Sequence, residues 1–243
     1  MKTNVVTVLD IDFVNKHFDH VIDDLLERIS NQQKSFIVTA NPEIVMYAHE
    51  NQDYKKIIQS ADMVVPDGYG IILASKILST PILERVAGYD VMVRLLERGN
   101  EKQLKIYLLG GREETNQKAV ANIRRNYPHL QIVGSHHGFF DWEKSTVTAD
   151  IKASCPDMVF VALGFPKQEQ WIAQQYDEFS KGLFMGVGGS IDVLAGEVQR
   201  APQIWQKMNL EWFYRLISQP TRWRRMLAIP RFLIEIFQLK LHK

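Results

Sequence analysis

The sequence predicts an α/β fold: a parallel sheet covered by helices on both faces, followed by a basic, helical appendage at the C-terminal end. Three observations carry that expectation. Short apolar runs such as Phe36-Ile37-Val38, Met63-Val64-Val65 and Met158 to Leu163 have the length of buried strands and lack the polar alternation of a half-exposed one. Stretches with helical apolar spacing separate these runs, and strand–helix alternation implies parallel strands joined by crossovers. Charge is also divided unevenly along the 243 residues, whose net charge is only +1: residues 200–243 carry nine Lys or Arg against Glu211 and Glu235, while residues 1–199 carry 20 basic and 26 acidic side chains. With 46% hydrophobic residues the chain can bury a sizeable core. The expected organisation is a Rossmann-like α/β core over residues 1–199 and a helical appendage over residues 200–243.

Taken in order, Val5 to Leu9 reads as the first strand, and Asp12 as the cap of a helix whose apolar residues Val14, Phe18, Val21, Ile22, Leu25 and Ile29 follow helical spacing. After the Phe36 to Val38 strand, Asn41 offers an N-cap and Pro42 suits the first helical position, where its missing N–H costs nothing. Helical stretches around Glu43 to His49 and Tyr54 to Gln59 lead to the Met63 to Val65 strand. The turn Pro66-Asp67-Gly68-Tyr69-Gly70 follows, with glycines that permit a sharp bend. A helix through Leu73 and Leu78, a connection holding Arg85, and a helix through Val91, Leu95 and Leu96 come next. Further strands are expected at Lys105 to Leu109, Gln131 to Gly134, Met158 to Leu163 and Leu183 to Val187, with helices at Glu113 to Asn126, Lys144 to Ser154 and Lys167 to Phe179.

Past Gly196 no further strand is expected, only short amphipathic helices broken at Pro220 and Pro230. Trp205, Trp212, Phe213, Tyr214, Trp223, Phe232 and Phe237 lie there among arginines and lysines. That mixture suits a surface lying in a membrane interface, drawn to anionic lipid; a helical hairpin docked on the core explains it too. Arg and aromatic residues also suit nucleic acid, but apolar stretches such as Met226 to Ile229 fit lipid better, so no nucleic acid is expected. The single Cys155 excludes a disulfide framework, and the polar start MKTNVVTVLDIDF is unlike a secretory signal, so a cytoplasmic location is expected. Charges interrupt every apolar run well before the ~18 residues of a membrane span.

Ligands of open parallel sheets bind beyond the carboxyl ends of the strands, which singles out the polar residues at those ends. Asp67 beside two glycines suits a general base in a partly dry pocket; an Asp bonding its own turn amides is the plainer reading. Thr39 and Asn41 can hold a sugar hydroxyl, although capping the Pro42 helix explains Asn41 equally well. Gly110 and Gly111 end a strand before a helix and can offer amides to a phosphate, or form a plain βα turn. Gly186-Val187-Gly188-Gly189-Ser190-Ile191-Asp192 is richer: its glycines allow close backbone approach, and Asp192 can bond ribose or base. Gln168 opens a helix on the same rim. His136-His137 lacks a third ligand, and Asp10 and Asp12 need no role beyond capping, so no metal is expected; His137 is instead placed on the nucleotide-sugar side. Without a metal, a departing diphosphate needs cationic side chains, which the tail supplies.

Several segments together resemble the WecG/TagA/CpsF glycosyltransferases: Thr39-Ala40-Asn41-Pro42, Pro66-Asp67-Gly68, Glu84 to Gly88, Gly164-Phe165-Pro166-Lys167-Gln168-Glu169, Gly188 to Asp192 with Ala195-Gly196, Arg200-Ala201-Pro202, and Glu211 to Leu216. Each is weak alone; seven in order over some 180 positions are specific. The chain looks most like the branch that makes the linkage unit of wall teichoic acid. The resemblance implies transfer of N-acetylmannosamine from UDP-N-acetylmannosamine to the 4-hydroxyl of N-acetylglucosamine on a polyprenyl diphosphate, with inversion and without metal or other cofactor. It makes Asp67 the base, lines the catalytic pocket with Thr39, Asn41, Arg85 and Gln168, and assigns the nucleotide to Asp192 and its glycines. It also implies that the appendage docks on an anionic membrane at the inner face of the cell membrane and completes the site with Arg215, Arg222 and Arg225. A homo-oligomer away from the membrane is a further expectation. The alternatives are another UDP-sugar donor, N-acetylmannosaminuronic acid or a hexose, and a non-catalytic nucleotide-binding membrane scaffold.

Overall fold

The computed structural model describes residues 5–218, 223 and 227–241. The chain opens with an antiparallel hairpin, β1 (Val5–Val8) and β2 (Ile11–Val14). Leu9 and Asp10 turn it with φ of 47° and 62°, the left-handed pair that matches the twist of a two-residue hairpin. Asp12 is therefore no helix cap: it lies on β2 opposite Thr7, whose hydroxyl donates to Asp12 Oδ1 at 2.6 Å. Helix α1 (Phe18–Ser30) starts later, and its first amide donates to Glu84 Oε2 at 2.9 Å. A carboxylate 66 residues downstream caps this helix and meets its positive end.

A parallel sheet of six strands follows: β3 (Lys34–Ala40), β4 (Met63–Pro66), β5 (Lys105–Gly110), β6 (Gln131–His136), β7 (Met158–Ala162) and β8 (Gly182–Gly186). Their spatial order is β4-β3-β8-β7-β5-β6. From β3 the chain steps outward to β4 through α2 (Pro42–Glu50) and α3 (Gln52–Gln59), then crosses to β5 through α4 (Tyr69–Ile77) and α5 (Gly88–Lys102). It steps outward again to β6 through α6 (Glu113–Asn126) and returns through α7 (Val147–Ser154), β7 and α8 (Lys167–Gln175) to β8, which lands beside β3. This reversal of direction opens a crevice over the carboxyl ends of the central strands.

Strand residues divide alternately between two cores, as a period of two requires. Val159 and Val161 face α2, α3, α4 and α8 on one side, while Met158 and Phe160 face α1, α5 and α6 on the other. Helix α9 (Ser190–Leu194) follows β8, and α10 (Gln203–Lys207), α11 (Glu211–Ser218) and α12 (Ala228–Leu241) form the C-terminal segment. Pro230 does not break a helix: it sits in the first turn of α12, where amides have no intrahelical acceptor to lose. Pro220 lies outside the described residues. Helix α12 packs on α2 and α4, and its Phe232 and Ile236 are fully buried in the first core. The docked arrangement is therefore the observed one for α12.

Candidate active site

Two adjoining cavities of about 520 and 1000 Å³ occupy the crevice and share Gly164, Gly188, Gly189 and Asp192 as a common wall. Thr39, Asn41, Asp67, Arg85 and Gln168 all line the smaller one. Each is held by local backbone chemistry. Thr39 stands near the end of β3, and a Cβ at Gly88 would come within 2.7 Å of its Oγ1, so only glycine lets the start of α5 approach so closely. Asn41 caps α2, its Oδ1 accepting from Ile44 N at 3.0 Å, which leaves the side-chain NH₂ as the group it can offer to a ligand. The Asp67 amide donates to Ala40 O at 2.9 Å and Val86 N donates to Pro66 O at 2.9 Å, so the β3 tip, the Asp67 turn and the Arg85 connection are laced together. Gly68, at φ 87°, supplies the bend that a side chain would strain.

Gln168 is buried, and both ends of its amide are engaged: Oε1 accepts from Gly188 N at 2.9 Å and Nε2 donates to Glu169 Oε1 at 2.7 Å. It borders the cleft as a brace. Arg85 points at the C-terminal segment, its Nη2 lying 3.4 Å from Glu211 Oε2 on α11.

Of the nucleotide-side candidates, Gly111, Gly188, Gly189 and Asp192 line the larger cavity. Gly110 and His137 do not. Gly110 is needed where β5 pairs with β7, since a Cβ there would fall 2.3 Å from Ala162 O. The His137 ring turns back on its own loop, Nδ1 accepting from Phe139 N at 3.1 Å. The amide of Gly111 already donates to Ala162 O at 3.0 Å, so this glycine contributes room and not a phosphate contact. Among the described residues no three His, Cys, Asp or Glu side chains are grouped to hold a metal ion.

A sequence model of the glycosyl transferase WecG/TagA/CpsF family matches residues 6–243. The chain belongs to the WecG/TagA/CpsF glycosyltransferase family. Curated relatives include the N-acetylglucosaminyldiphosphoundecaprenol N-acetyl-beta-D-mannosaminyltransferases of Bacillus spizizenii, 38% identical over 98% of this chain and 92% of the relative, and of Bacillus subtilis, 37% over 98% and 93%. The enzyme of that name from Staphylococcus aureus strain MW2 is 38% identical over 98% of this chain and 94% of its own length.

In this glycosyltransferase the structure adds residues to which sequence reasoning gave no role. Arg200 clasps Asp90 through two bonds of 2.6 and 2.8 Å, stacks 4.8 Å over the Tyr89 ring, and brings its Nε to 3.8 Å from Glu211 Oε1. Glu211 thus stands between two arginines, and together they close the smaller cavity beneath α11. Arg200 and Glu211 were visible as parts of quoted segments, but nothing local pairs residues 110 or 126 positions apart. Arg112, Phe139 and Trp142 line the larger cavity, and Phe139 is 74% exposed at its edge. Trp212, Tyr214 and Ser218 of α11 and Ile229 and Leu233 of α12 roof the smaller one. Arg222 and Arg225 lie outside the described residues, as does the side chain of Arg215. This segment also carries exposed apolar side chains, Ile204, Ile217, Ile234, Phe237 and Leu241, all more than half exposed. No described helix is long and apolar enough to cross a membrane.

Proposed function

We propose that this chain transfers N-acetylmannosamine from UDP-N-acetylmannosamine to the 4-hydroxyl of N-acetylglucosamine carried on polyprenyl diphosphate, with inversion and without a metal ion. The observation that carries the reading is 37–38% identity, over 98% of the chain, to transferases whose names specify that sugar and that acceptor. The convergence of Thr39, Asn41, Asp67, Arg85 and Gln168 on one cleft supports it.

In this reading the nucleotide lies in the larger cavity near Gly111 and Asp192, and the sugar reaches across the glycine turn toward Asp67. Asp67 takes the proton of the acceptor hydroxyl, which attacks the anomeric carbon from the face opposite the departing UDP in a single displacement. Cationic groups from the C-terminal segment, Arg215, Arg222 and Arg225, meet the charge growing on the diphosphate. The exposed apolar side chains of α10, α11 and α12 rest on an anionic membrane at the inner face of the cell membrane, which presents the lipid-linked acceptor.

The test is product formation from UDP-N-acetylmannosamine and a lipid-linked N-acetylglucosamine acceptor on liposomes, in buffer containing EDTA, with UDP-glucose and the uronic acid donor in parallel. Asp67→Asn is expected to lower turnover about 10²- to 10⁴-fold while leaving UDP binding in place. Transfer from another donor alone, loss of activity in EDTA, or an undiminished Asn variant would each overturn the corresponding part.

A further inference from the structure

Glu169 is the one acidic residue among the described residues that is both 2% exposed and adjacent to the cleft, and the proposed chemistry does not use it. Its Oε1 accepts from Gln168 Nε2 at 2.7 Å. Its Oε2 has no hydrogen bond of ordinary geometry among the described residues, and the Tyr54 hydroxyl beside it has none either. The groups that face it from neighbouring elements are Tyr54 on α3 and, farther away on α2, Glu43; no cation is among them. Burial drives the Glu169 carboxyl up to about 7 and raises the Tyr54 hydroxyl as well.

This carboxyl is one of the two partners that hold the Gln168 amide. An amide has one accepting and one donating end, and Gln168 uses both: Oε1 toward Gly188 N, Nε2 toward Glu169. The amide has little freedom, because it lies so flat on β8 that a Cβ at Gly186 would be 2.6 Å from Nε2. Flipped, it would set its NH₂ against the Gly188 N–H, donor against donor, and lose the bond that its NH₂ gives to the Glu169 oxygen. Gly188, at φ 47°, belongs to the wall shared by both cavities. We propose that Glu169 is a positioning residue which, by accepting from Gln168, fixes the Gln168 amide and through it the Gly188 turn on which donor and acceptor meet.

The proposal rests on the cleft being the transferase site, and the two fail differently. If the wild-type chain shows no transfer, the functional reading fails, while the link from Glu169 to Gly188 is still read from the Gly188 amide resonance. The variants are Glu169→Leu, which removes the acceptor at similar volume, and Glu169→Gln, which keeps a carbonyl oxygen facing Gln168. The Leu variant is expected to lose about 10- to 100-fold in kcat with KM little changed and to move the Gly188 resonance. The Gln variant should recover most of the rate and the wild-type resonance. A folded Leu variant with unchanged kcat and resonance overturns the proposal. Should Leu prevent folding, Gln decides alone, and a folded Gln variant as slow as Gln168→Leu overturns it.

Discussion

The floor and the roof of the cleft are built by different physics. The floor consists of strand ends and tight turns: Ala40 O, Pro66 O and Ala162 O each accept a backbone amide from a neighbouring turn, and the side chains beneath are fully buried. Such bonds are satisfied and shielded from water, so ionic strength hardly reaches them. The roof, α10 to α12, depends more on side chains. It is tied down by the Arg85–Glu211–Arg200–Asp90 group, by Arg231 to Glu50, by Lys240 to Ser79 Oγ at 2.8 Å, and by the fully buried apolar side chains of Phe232 and Ile236. In the proposed reading the floor must hold reacting groups to within fractions of an ångström, while the roof, meeting a lipid-borne substrate, gains from attachments that can be exchanged.

Phe232→Ala tests how much of the roof is hydrophobic. Deleting this fully buried ring should destabilise the docked α12 by about 3–5 kcal/mol. Hydrogen exchange should show the loss in α12 and the facing turns of α2 and α4, with the six-stranded sheet still protected. Uniform loss over the whole sheet would mean that roof and floor unfold as one unit.

Glu169→Gln probes the floor through pH. The folded carboxyl holds its proton up to about 7, whereas the ordinary value is 4.5. Between those values the folded state binds a proton that the unfolded chain has released, so wild-type stability should fall as pH rises through this window and level off above it. The Gln variant lacks this fall. Its advantage over wild type should therefore grow from pH 4.5 to a ceiling of about 3 kcal/mol above pH 7, read from urea midpoints across the range. A constant difference would show that Glu169 is already ionised near pH 5.

Arg231→Ala should have the smallest effect. The guanidinium is 62% exposed and its Glu50 partner 42%, so the loss should be under about 1 kcal/mol and should vanish in molar salt. A salt-resistant loss would make this pair part of the rigid frame.

Much of the floor was legible because its signals are local. Apolar runs mark strands, the Asn41-Pro42 pair marks a helix start, and polar residues at strand tips mark a ligand rim in a parallel sheet. These signals single out Thr39, Asn41 and Asp67, which line the smaller cavity. Asp12 was misread because a cap and a hairpin residue look alike until the Leu9–Asp10 turn takes left-handed φ, which an aliphatic Leu does not advertise. Gly110 and His137 read as ligand-side residues from their place after strands; Gly110 packs against Ala162 of the paired strand and the His137 ring against its own loop, and neither lines the two cavities. Arg85 was noticed, but its pairing with Glu211 was not.

From the sequence alone came the alternation of strands and helices, the polar tips, the charge carried by the C-terminal segment and the family resemblance. These depend on periodicity, capping and composition, which act over a few residues or none. The tertiary structure decided the strand order that sets β8 beside β3, the Glu84 cap on α1, the clasp of Arg200 and Glu211 over the cleft, and the burial of Glu169 behind Gln168. Each of these depends on which surfaces meet once the chain has crossed from one edge of the sheet to the other. A carboxylate becomes a cap, a counter-ion or a buried acid according to the neighbour that folding brings to it.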